Sequence, residues 1–151
     1  MISKPTDVPA SSATSYPEPF RSMMSGRSKR RLGDAFGLKN FGVNLVRLPP
    51  GLASSQRHWH THEDEFVYVL EGETVLVSND GEQVLRAGMA AGFPAGTPDG
   101  HHFLNRSQAD AVLLVVGDRR EEDEARDPDV DLDLRHIDGE VRFTRKDGTP
   151  Y

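Results

Sequence analysis

A chain of 151 residues is one domain's worth of sequence, and 36% hydrophobic residues allow a real core. A net charge of −6 argues against nucleic acid as a partner, because phosphate neutralisation needs a concentrated basic face. With no cysteine, neither a disulfide framework nor a thiolate zinc site can form, so any metal must rest on imidazole and carboxylate.

Residues 1–40 read as an N-terminal arm, partly flexible, because residues 1–19 are rich in Pro, Ser and Thr. Such an arm can be pinned onto a partner subunit. Its first residues lack the apolar stretch of a secretory signal. No apolar run approaches the roughly 20 residues of a membrane helix. The expected setting is therefore the cytoplasm, with no membrane partner. Arg27, Lys29, Arg30 and Arg31 form a basic cluster. It reads first as a solvated or dimer-contacting loop, with binding of an anionic ligand or nucleic acid as the alternative.

Residues 41–117 read as the barrel core. FGVNLVRL, EFVYVLEG, ETVLVS, EQVLR and AVLLVVG are short, rich in β-branched or aromatic residues, and separated by Gly, Pro, Asn and Asp. Asn79-Asp80-Gly81 between two of them is a hairpin signal. No sustained helical periodicity interrupts the series, so the pattern predicts an all-β sandwich or barrel. EFVYVLEG is apolar on both faces, which predicts cover on both sides, from the barrel interior and from a second sheet or another subunit. Residues 118–151 read as an acidic connection and a C-terminal strand of the same domain. Residues 118–133 hold nine of the 24 acids and are expected to be exposed.

Five of the six histidines lie in two short clusters. His58 and His60 are two apart, so on a strand both imidazoles share one face and can grip one ion. Glu65 opens the next strand and can return beside them if the chain turns between Thr61 and Asp64. Further on, Pro94 and Gly96 mark a tight turn, after which His101 can supply a third imidazole. The competing reading is a degenerate site that keeps the fold without the ion.

These two segments resemble the two motifs of the cupin superfamily. The first reads Gly51, six residues, His58-x-His60, four residues, Glu65, six residues, Gly72. In the second, Gly88, Pro94, Gly96, His101 and Asn105 match, although four residues rather than two separate Gly96 from His101. That departure leaves His101 and His102 in competition, and the spacing to Asn105 favours His101. YPEPF, RRLGD, NFGVNLVRLPPG, EDEFVYVLEGE and KDGTPY resemble one group of small bacterial single-domain cupins. The resemblance implies a double-stranded β-helix, or jelly-roll barrel. It also implies His58, His60, Glu65 and His101 as ligands of one divalent metal ion, and a homodimer.

That ligand set suits Fe, Mn, Ni or Zn. Open coordination positions would let the ion hold adjacent oxygens of a small-molecule substrate and act as a Lewis acid. The expectation is a metal-dependent enzyme on a sugar, sugar phosphate or carboxylate, with isomerase- or lyase-like proton transfer. His62, Tyr68 and His102 are the acid–base candidates by residue type. The alternatives are a non-catalytic small-molecule binding or sensor module, and an Fe(II)-dependent dioxygenase.

Overall fold

The computed structural model describes residues 2–151. Among them the strands are β1 (Ser28–Arg31), β2 (Phe41–Leu48), β3 (Trp59–His60), β4 (Glu65–Glu71), β5 (Glu73–Ser78) and β6 (Gly81–Arg86). They continue as β7 (Ala90–Phe93), β8 (His102–Leu104), β9 (Ala111–Asp118), β10 (Ala125–Arg126), β11 (Asp133–Ile137) and β12 (Glu140–Thr144). Helix is confined to single turns at Pro5–Asp7, Phe20–Met23 and Leu32–Ala35. Among the described residues, no helix is long and apolar enough to cross a membrane.

The strands form three antiparallel sheets, ordered β1-β2-β9-β4-β7, β6-β5-β8 and β12-β11-β10-β3. This is the all-β jelly roll that the short, evenly punctuated apolar runs predict. Ser78 pairs with Gly81, so Asn79 and Asp80 form a two-residue hairpin loop, and Gly81 takes the positive φ of 106° that a residue with a side chain resists.

Strand periodicity decides what faces inward. One face of the large sheet carries Val46, Leu48, Val67, Val69, Ala111 and Leu113, which pack on Leu76, Leu85 and Phe103 of the opposing strands. Each such Val, Leu or Phe contributes about 1.5–3 kcal/mol when fully buried. The cross-strand row Gly42–Gly117–Glu65 extends the same inner face, so a carboxylate sits at one end of an otherwise apolar lining.

Parts of the N-terminal arm are tied to the barrel. Ser11 and Lys29 exchange two backbone hydrogen bonds of 2.9 Å, and β1 lies alongside β2. Val8, Phe20 and Met24 are buried. A Pro- and Ser-rich composition signals a lack of periodic structure, but a few large apolar side chains are enough to anchor the segment on the barrel. The acidic stretch also departs from the expectation of exposure. Asp123, Asp127 and Asp133 are buried, because β10 and β11 turn back over the end of the barrel.

Candidate metal centre

The two histidine clusters meet because their segments pair. His58 and His101 form an isolated antiparallel bridge, with backbone bonds of 3.2 and 2.9 Å, one in each direction. Gly96 donates its backbone N–H to the His60 carbonyl at 2.9 Å, tying the Pro94–Gly96 turn beside the first cluster. The chain reverses between Thr61 and Asp64, and Glu65 enters β4 on the inner face.

One ligand atom from each of His58, His60 and Glu65 lies within 4.8 Å of the others. His101 is 2% exposed, and its Nε2 is 2.8 Å from Glu65 Oε2. The Phe93 ring stacks on His101, with centroids 3.4 Å apart and planes 3° off parallel, which fixes the imidazole plane.

Tautomers follow from the partners of the far nitrogens. His58 Nδ1 lies 2.8 Å from the Gln56 carbonyl oxygen, and His101 Nδ1 lies 3.3 Å from that of Asp99. A carbonyl only accepts, so Nδ1 carries the proton in both rings and a neutral ring leaves Nε2 as a bare lone pair. His60 Nδ1 lies 2.7 Å from Asp123 Oδ2, which has the same effect. With the rings neutral, the Nε2 atoms of His58, His60 and His101 are each free to bind an ion beside the Glu65 carboxylate. At 2.8 Å, a bare Nε2 and a carboxylate oxygen need a proton or a cation between them. This donor set fits a divalent ion of borderline hardness.

Burial pushes the His58 imidazolium down to about 4, only partly offset by the Glu65 charge. Burial also works against His60, but the Asp123 bond and the Glu65 charge carry its pKa above the ordinary value. Burial would raise Glu65, yet the His101 bond and the neighbouring imidazoles hold it below the usual carboxylate range.

Asp123 is a residue of this site that sequence reasoning missed, since nothing distinguishes it among the nine acids of residues 118–133. Its Oδ2 orients His60. Its Oδ1 accepts the backbone N–H groups of His62 at 2.8 Å and Glu63 at 3.2 Å. His60 Nδ1 also gathers with Glu63 and Asp123 within 4.8 Å. With Nδ1 already bonded to the carboxylate, that group serves to hold the ring.

The cluster sits in the wall of a cavity of about 580 Å³ that Tyr16, Asp127 and Val67 also line. The three acid–base candidates chosen by residue type lie elsewhere. His62 is exposed, its Nδ1 2.9 Å from Thr61 Oγ1. Tyr68 stands on the outer face of β4, one residue out of step with Val67 and Val69. His102 points away from His101 because adjacent strand residues alternate, and its Nδ1 lies 3.1 Å from the Ser55 carbonyl oxygen. None of the three lines the cavity.

An antiparallel jelly roll with histidines and a glutamate gathered at a cavity is the architecture of one recognisable class. The family model described as Cupin domain matches residues 44–117. The solved structure of a sugar phosphate isomerase from the cupin superfamily of Silicibacter pomeroyi is 47% identical, with a TM-score of 0.92, over 97% of this chain and 93% of that one. A protein from Acidithiobacillus ferrooxidans, provisionally named a sugar phosphate isomerase, is 30% identical over 83% of this chain and 80% of its own, with a TM-score of 0.74. TT1209 from Thermus thermophilus is 32% identical over 79% of this chain and 97% of its own, with a TM-score of 0.58. No curated protein sequence matches. The chain belongs to the cupin superfamily.

Proposed function

We propose that this cupin is a metal-dependent isomerase of a small phosphorylated sugar, with His58, His60, Glu65 and His101 holding one Fe, Mn, Ni or Zn ion. The observation that carries this reading is the gathering of ligand atoms of His58, His60 and Glu65, with His101 Nε2 2.8 Å from Glu65 Oε2, in the wall of a cavity of about 580 Å³, a volume within the range of small-molecule sites. The name of the 47% identical relative supports the substrate class. A divalent ion bound there would supply Lewis acidity to adjacent hydroxyl and carbonyl oxygens of a sugar.

Aldose–ketose interconversion moves one proton between neighbouring carbons, so the protein must offer a group that accepts and returns it. Asp127 and Tyr16 are two of the protic groups of the cavity wall outside the cluster. Burial raises the Asp127 carboxyl above the ordinary range, which brings it closer to a working acid–base pKa. Its Oδ1 is held by the backbone N–H groups of Asp129 and Val130, while Oδ2 has no hydrogen-bond partner. Asp127 is the proton carrier in this reading. Burial also raises Tyr16, which keeps that phenol a proton donor at neutral pH.

The test begins with elemental analysis of protein purified without chelator, followed by reconstitution with each metal and an assay on a panel of sugar phosphates. One equivalent of metal, lost in His58→Ala, is expected. Asp127→Asn should retain the metal and lose roughly 10²–10⁴-fold in turnover. No interconversion with any metal across the panel sinks the isomerase reading, and oxygen consumption with Fe(II) alone replaces it with a dioxygenase.

A further inference from the structure

The cavity has a cationic wall that the metal centre does not explain. β1 carries Arg27, just before its first residue, and Lys29 into the lining. Lys29 pairs with Val46, a residue of the inner face, so strand alternation turns Lys29, and Arg27 two residues earlier, toward the interior. Arg30 has the opposite parity and donates to the Thr6 and Val8 carbonyls. The basic cluster, expected as a solvated or dimer-contacting loop, is thus divided by the pleat. Arg30 anchors the arm, Arg31 is in the lining but pairs with Asp34 at 3.9 Å, and Arg27 and Lys29 enter the cavity unpaired.

Both cations are half-buried, and among the described residues neither side chain makes an ion pair or a hydrogen bond. Arg27 lies over the Tyr16 ring at 5.8 Å. Among the described residues, no carboxylate of the same cavity pairs with either cation. Glu65 faces His101, Asp133 pairs with Arg126 and Arg135 at 2.9 Å each, and Asp127 Oδ1 takes two backbone N–H groups. Partial desolvation lowers the pKa of both Arg27 and Lys29, so holding their charge without a counterion is costly. An anion between them would remove that cost.

We propose that Arg27 and Lys29 form the subsite for the phosphate group of the substrate, in the same cavity as His58, His60 and Glu65. An arginine offers a planar fork of donors and a lysine a compact charge, the two complements of a phosphate monoester. The inference deepens the isomerase reading and rests on it for the sugar, while the anion subsite can be tested without turnover. It also gives the N-terminal arm a role, since the arm holds β1 against the barrel through the Ser11–Lys29 backbone bonds.

The experiment is calorimetric titration of metal-free protein with inorganic phosphate, glucose 6-phosphate, glucose and gluconate. Working without metal prevents phosphate from binding at the ion. Inorganic phosphate and glucose 6-phosphate should bind, and glucose should not. Arg27→Gln and Lys29→Gln should each weaken phosphate binding by about tenfold or more, with metal uptake unchanged and Arg27→Lys restoring part of the affinity. If Arg27→Gln fails to fold, Lys29→Gln carries the test. Unchanged phosphate affinity in the folded variants overturns the subsite, as does tighter binding of gluconate than of glucose 6-phosphate. Phosphate binding that depends on both residues, without turnover under any metal, removes the isomerase reading alone. Turnover with unchanged KM in both variants removes the subsite alone.

Discussion

At the scale of single residues, the proposed metal centre depends on which nitrogen of each imidazole is free. Acceptors on the far side of His58, His60 and His101 hold Nδ1–H, so three side chains that could bind in several ways are set to bind in one. The same burial makes the metal-free protein sensitive to acid. Unfolded His58 titrates near 6.5 and folded His58 near 4, so between those values the unfolded chain binds a proton that the folded chain lacks. Stability from this group is present above pH 6.5 and is lost as pH falls toward 4. His60 works in the opposite sense. Its folded pKa is raised, so its contribution is present below 6.5 and lost as pH rises through the folded value. His58→Gln removes the first effect and keeps the second. The Tm of the metal-free variant should therefore fall less between pH 7 and 4.5 than that of the metal-free wild type. Equal losses would show that His58 is not the acid-labile group.

At the scale of elements, the barrel supplies the proposed ligands and the segment after it supplies their support. β10 pairs with β3, placing Ala125 opposite His60, and so brings Asp123 within 2.7 Å of His60 Nδ1. Asp123→Ala should weaken metal affinity by about 10–100-fold, measured by titration with a competing chelator, while the far-UV circular dichroism keeps its strand signature. An unchanged affinity would reduce Asp123 to a loop tether. The strands of the core were legible in sequence because β2, β4, β5, β6 and β9 are long enough to show a period of two. β3 and β10 are two residues each, too short for any period, and form only because their neighbours pair with them. Asn105 illustrates a different limit. The motif flags it beside the histidines, yet its side chain is structural. Nδ2 donates to the Leu48 and Ala109 carbonyls, and Oδ1 accepts from Ser107, so its polar atoms are satisfied at 0% exposure.

At the scale of the molecule, the outer face of the large sheet is apolar across three strands. The rows Val43–Val116–Phe66 and Leu45–Leu114–Tyr68 run side by side, and Phe66 and Leu70 are 44% and 42% exposed. The second face of EFVYVLEG is thus left part-exposed by the described residues, and a second copy is our proposal for what covers it. Light scattering should give twice the 16.7 kDa chain mass, and Phe66→Asp should return a monomer. A monomeric wild type at micromolar concentration would sink the homodimer.

The sequence by itself determined the all-β architecture, the superfamily and the residues that could hold a metal. These follow from local rules: alternation on strands, glycines at turns, and two histidine clusters at set spacings. Whether His101 or His102 turns inward, which of nine acids steadies His60, and where Arg27 and Lys29 lie are decided by pairing between segments distant in the chain. An imidazole, a carboxylate or a guanidinium has the same chemistry anywhere in a sequence. Its partners, and hence its role, exist only once the sheets have closed.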